Sequence, residues 1–114
     1  THAVGGNCSV TDVVSWMCAG PAKVYGSEKK GSIIEGYDAD LTLVDLETHR
    51  IISDEDTWTK VRWTPYAGRD LTGWPIYTIV DGEIVHRREV GGSLKGISVA
   101  EPGSTGRVLK FNRF

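Results

Sequence analysis

Val10, Val13, Val14 and Met17 fall at the i, i+3, i+4, i+7 spacing that gives a helix one apolar face. This spacing predicts an amphipathic helix over Ser9 to Ala19. Ser9, followed three positions later by Asp12, is a capping-box pattern with aspartate in place of the usual glutamate. Gly20 is expected to stop this helix. Pro21 suits the start of a second short helical turn, Ala22 to Tyr25, which Gly26 ends. From Gly31 onward the apolar residues follow strand patterns instead. Ser32 to Glu35 reads as a short extended piece, Gly36 to Asp40 as a turn, and Leu41 to Leu46 as a strand with partial alternation. His49 to Ser53 and Trp58 to Trp63 are further strand candidates, and Pro65 and Gly68 mark a loop. Pro75 to Val80 and Glu83 to Arg88 form a hairpin around Asp81-Gly82, a pair that accepts the positive φ of a two-residue turn. Beyond Val90 the chain is rich in glycine, and it is expected to wrap loosely or to dock through Val108, Leu109 and Phe111. No internal repeat or heptad is present.

The fold class predicted is therefore α+β, mainly β: an N-terminal helix–kink–helix, then short antiparallel strands of a small sandwich or open barrel. Three parts are expected, a helical segment over 1–26, a β-domain over 27–90 and a Gly-rich basic tail over 91–114.

The chain has 114 residues, 39% of them hydrophobic, and a formal net charge of −2. That size and composition suit one folded domain. The charge argues against a dedicated nucleic-acid or membrane-surface binder. No apolar run nears the roughly 20 residues that cross a bilayer. Thr1 to Asn7 lacks signal-peptide features, and the absence of an initiator Met suggests a piece of a longer chain or a processed product. A cytoplasmic location is expected. Cys8 and Cys18 flank the predicted helix, about 15 Å apart by helical rise, beyond disulfide reach. They are read as free thiols, Cys18 filling core space and Cys8 lying beside a helix N-terminus.

Candidate chemistry is sparse. His2, His49 and His86 stand in no zinc-ligand spacing. Asp38 and Asp40 share a face if extended, but short acidic side chains at a turn more often hold backbone amides. Asp54, Glu55 and Asp56 read as a solvated loop or a helix start. Trp58, Trp63, Tyr66, Trp74 and Tyr77 are assigned to core or interface packing rather than base stacking. Lys60, Arg62 and Arg69 beside them are offset by Asp56 and Asp70. In the tail region Arg87, Arg88, Lys95, Arg107, Lys110 and Arg113 face only Glu89 and Glu101. Gly91-Gly92 lacks the spacing of a phosphate loop. No catalytic, substrate-binding or metal-binding residue is assigned within the chain.

Four ordered segments carry a resemblance. Gly20-Pro21-Ala22-Lys23-Val24-Tyr25-Gly26 is similar to the NPA(R/K) stretch of amidohydrolase-superfamily enzymes, with Gly20 in place of Asn. Lys30 to Leu41 resembles their KG-x-I-x-x-G-x-DADL. Thr64 to Gly73 resembles the (S/T)P(F/Y)-x-G-x-x-L-x-G of dihydroorotases and allantoinases, and Thr78 to Gly82 resembles their closing hairpin. The resemblance covers Ser9 to Arg88, and no such match is seen beyond Val90. It implies the C-terminal segment of a dihydroorotase: the region after a (β/α)₈ barrel plus part of the flanking β-sandwich. It also implies zinc in the barrel, held by residues preceding Thr1, and no cofactor in this chain. A barrel takes about 250 residues, more than the chain has. The implied partners are that barrel, further copies in a homo-oligomer and a transcarbamoylase, with no nucleic acid or membrane. Allantoinase and hydantoinase fragments, a non-catalytic module derived from a dihydroorotase, and an unrelated aromatic binding domain are the other readings.

Overall fold

A computed structural model describes residues 7–57, 59–88, 97–98 and 106–112. The N-terminal segment is one continuous helical run. It comprises α1 (Val10–Val14), a π-helical turn (Ser15–Ala19) and α2 (Gly20–Tyr25). The capping box forms as predicted. The Asp12 amide donates to Ser9 Oγ at 3.1 Å, and the Ser9 amide donates to Asp12 Oδ2 at 2.7 Å. Gly20 does not stop the helix; its backbone is helical, at φ −60 and ψ −58. The reason lies in Pro21, which has no amide to donate and would crowd the carbonyl four residues back. Widening the preceding turn lets the Gly20 amide reach Ser15 O, five residues back. The expected kink is thus a π-bulge, one of the known ways a helix absorbs a proline.

The sheet has four antiparallel strands in the order β1-β2-β3-β4. They are β1 (Leu41–Ile51), β2 (Asp70–Val80), β3 (Glu83–Arg87) and the two-residue β4 (Ile97–Ser98). The helix-first, mainly-β class is as read from the sequence, and the described strands supply one sheet layer. Two predicted strands, Leu41–Leu46 and His49–Ser53, are a single strand with a bulge. Asp45 pairs with Trp74 and His49 with Thr72, so Leu46 to Thr48 loop out opposite Gly73. The Asp45 carboxylate fastens that bulge, accepting from the Glu47 amide at 2.9 Å and the Thr48 hydroxyl at 2.7 Å. These bonds hold its acidity stronger than usual, the Thr48 hydroxyl contributing most.

The Asp81-Gly82 hairpin forms as expected, with Val80 paired to Glu83 and φ of +52 and +84 at the turn. Pro75 lies in the central strand β2, where a missing amide is normally excluded. It is accommodated at a register shift, pairing with Val44 while Tyr77 pairs with Leu43.

Thr59 to Trp63 is not a strand; Arg62 takes φ +53 in a turn, which breaks extended pairing. Trp58 lies outside the described residues. Ser32 to Glu35 is not paired either and leads into a turn closed by the Tyr37 amide on Ile34 O at 3.1 Å. The acidic run is a 3₁₀ turn, Asp54–Asp56, capped by Ser53.

Candidate functional site

The motif residues assemble into an ionic lock. Lys30 reaches the strand-entry turn and pairs with both acids there, with Asp38 at 3.1 Å and in close contact with Asp40. Asp40 also accepts from the Asp81 amide at 2.7 Å, and the Gly82 amide donates to Ala39 O at 3.0 Å. Asp40 therefore holds a turn amide, that of the hairpin tip. Asp81 in turn receives the Arg107 guanidinium through two donors, Nε at 2.9 Å and a close Nη2. Two cations, Lys30 and Arg107, thus flank two acids, Asp40 and Asp81, which are joined through the Asp81 amide, and the four belong to three separate segments. The Lys30 ammonium, then the Asp81 amide, holds Asp40 below the usual carboxylate range. Asp40 raises Lys30 above the ordinary lysine range, against partial desolvation.

The sign of the pH dependence follows. Asp40 is depressed, so its contribution is present above the free carboxylate value of about 3.9 and lost as pH falls through the folded value. Lys30 is raised, so its contribution is present below about 10.4 and lost as pH rises through its folded value. The lock should hold from about pH 4 to about pH 10. Titrating the Asp40 carboxyl carbon by NMR should give a midpoint below that of a free aspartate; one at or above it would rule the lock out.

The second motif loop, Thr64 to Gly73, is a connector. The Thr64 amide donates to Asp54 Oδ1 at 2.9 Å, the Gly68 amide to Ile52 O at 2.8 Å and the Ile52 amide to Arg69 O at 2.9 Å. These bonds carry the β1–β2 ladder past the strand ends. Arg69 stacks on Tyr66 with its carbon 5.7 Å from the ring centre. Trp74, half-buried on β2, carries Arg88 at 5.3 Å and donates from Nε1 to Leu71 O. Tyr77 is likewise half-buried, whereas Trp63 and Tyr66 are exposed and pack in no core here.

Of the histidines, His49 lies 3.4 Å from Asp70 across the β1–β2 pair, both largely exposed. His86 sits on β3 opposite Thr78, and His2 is outside the described residues. Neither Cys8 nor Cys18 is in a disulfide. Cys18, in the π turn, is exposed rather than core-filling and lines a largely apolar groove of about 530 Å³.

The zinc implied by the resemblance does not fit these residues. Asp38 and Asp40 close around a lysine ammonium, the reverse of a vacant cation site, and among the described residues no three His, Cys, Asp or Glu side chains converge. Sequence reasoning found Asp38 and Asp40 but missed Lys30 and Asp81 as their partners and Arg107 as the partner of Asp81. The signal for Lys30 was its place in the same motif; Arg107, 26 residues beyond Asp81, offered none.

Comparison with known proteins places this geometry. The chain is 43% identical over 83 residues to a dihydroorotase of Methanothermobacter thermautotrophicus, covering 72% of this chain and 19% of that protein. It is 36% identical over 105 residues to the dihydroorotase of Pyrococcus furiosus, covering 91% of this chain and 25% of the relative. The latter match necessarily takes in part of the tail beyond Val90, which therefore has counterparts in the family. In structure the chain is similar to the L-hydantoinase (dihydropyrimidinase) of Arthrobacter aurescens, with TM-score 0.73, 31% identity and coverage of 84% of this chain and 20% of that one. The chain thus spans about a fifth to a quarter of the length of these relatives. No helix among the described residues is long and apolar enough to cross a membrane. The model of the amidohydrolase family matches residues 1–85, and the chain belongs to that family.

Proposed function

We propose that this chain is the C-terminal part of a metal-dependent cyclic-amide hydrolase, a dihydroorotase, which with water opens dihydroorotate reversibly to N-carbamoyl-aspartate in pyrimidine biosynthesis. The observation that carries this reading is the match to the Pyrococcus furiosus dihydroorotase over 91% of the chain. The catalytic and zinc-binding residues lie in a barrel outside this segment, and the segment's own role is structural. Its helical part, β-part and tail together flank that barrel. The parent is a cytoplasmic homo-oligomer and a candidate partner of a transcarbamoylase. A second reading, a hydantoinase or dihydropyrimidinase, is favoured by the solved structures it resembles, at TM-scores of 0.73 and 0.69.

The test is to express the complete reading frame that carries this segment, loaded with zinc, and to assay dihydroorotate, hydantoin, dihydrouracil and allantoin side by side. Turnover of dihydroorotate well above the other three is the expected result. A preference for hydantoin or dihydrouracil would transfer the assignment to the second reading, and turnover of none would leave a non-catalytic module.

A further inference from the structure

The tail is bound in two ways, and they differ in kind. Its backbone lies beside the end of α2: Ser27 bridges Phe111, the Glu28 amide donates to Lys110 O at 2.9 Å and the Asn112 amide to Gly26 O at 2.8 Å. Its Arg107 grips Asp81 at the hairpin tip. Side chains add little, which is nearer to the loose wrapping than to the docking through Val108, Leu109 and Phe111 that the sequence offered as alternatives. Val108 is 93% exposed and Phe111 51%. Leu109, 49% exposed, does form one wall of the apolar groove that Val14, Met17 and Tyr25 also line. So few buried contacts make a segment of low local stability. The charged grip lies at the surface, with Arg107 69% and Asp81 39% exposed, where an ion pair is weak and added salt weakens it further.

We infer that residues 107–112 form a strap that opens as a unit, with the Arg107–Asp81 pair as its salt-sensitive clasp. When the clasp is released, the bridge at Ser27 is left with its two backbone hydrogen bonds, and the Leu109 wall of the groove departs with the strap. The helix and the hairpin need not unfold, because each retains its own hydrogen bonds. The inference does not depend on which reaction the parent catalyses.

Amide hydrogen exchange on the complete protein tests it, with the Glu28 and Asn112 amides reporting the strap and the β2–β3 amides serving as internal reference. Raising salt from 0.05 to 0.5 M, or substituting Arg107→Gln, should speed exchange at Glu28 and Asn112 by roughly threefold or more, as expected for loss of an exposed pair. The β2–β3 amides should stay unchanged. The double reversal Arg107→Asp with Asp81→Arg should restore protection at low salt. Two results would overturn the inference: exchange at Glu28 and Asn112 that ignores both salt and Arg107→Gln, or exchange that rises equally across β2–β3. The salt titration needs no variant, so a misfolded mutant leaves the test intact.

Discussion

Gly31→Ala should destabilise the fold by about 2–4 kcal/mol, the combined scale of a left-handed alanine and an overpacked contact. Gly31 follows Lys30 at the point where the chain passes back over the helix. Its φ is +83, and a Cβ built there would lie 2.5 Å from the Ala22 Cβ and 2.8 Å from Cys18 O. The carbonyl belongs to the π turn and cannot yield without disturbing the accommodation of Pro21. Gly36 provides the control, since its φ is +87 but a Cβ there meets nothing within 4 Å. Gly36→Ala should therefore cost only the backbone part, about 1–2 kcal/mol. Denaturation midpoints of the two variants, measured in the complete protein, decide the matter. Equal shifts would mean that the helix and loop are not in the close contact described.

The isolated 114-residue chain should associate rather than persist as a stable monomer. It exposes 9016 Å², whereas a monomeric protein of 12.5 kDa has about 6,200 Å². The excess is more than three times the roughly 800 Å² that one partner gives to a standard interface. Much of it is apolar: Ile33 is 88% exposed, Met17 74% and Trp16 63%, and no side chain among the described residues is fully buried. Such surface is ordinarily covered by another part of the protein or by a second chain. Sedimentation should show species heavier than the monomer, and a hydrophobic dye should bind. A single monomeric species with sharp, cooperative unfolding would contradict this expectation.

Local features were the most legible in the sequence. The Ser9–Asp12 cap and the Asp81-Gly82 turn depend on residues within a few positions of one another, and both form as read. Where a feature depends on distant residues, the sequence was less informative. Leu46 to Thr48 looked like a break between strands, because nothing local shows that His49 resumes pairing with the same partner strand. Gly20 reads as a stop and Pro21 as the start of a new turn, yet a wider turn, with the Gly20 amide on Ser15 O, lets the run continue through both. Trp58 to Trp63 had strand composition, but the turn from Thr59 to Arg62 keeps Thr59 to Trp63 out of the ladder. The candidate site was half legible. Asp38 and Asp40 were assigned to holding amides, and Asp40 does so for an amide 41 positions away. The family resemblance supplied what no local pattern could, the class of reaction proposed for the parent protein.

The bulge fastened by Asp45 has a consequence for how the exposed surface can misbehave. β1 is the outer strand of the described sheet, and its free edge would otherwise offer 11 residues of unpaired backbone. Looping out Leu46 to Thr48 divides that edge into two shorter runs, Leu41 to Asp45 and His49 to Ile51. Amyloid-type growth needs about six or seven consecutive residues stacked in register, and neither run is that long. The Asp45 turn thus acts as a gatekeeper against fibre formation, leaving the apolar faces free to find a cover while the strand edge resists endless addition.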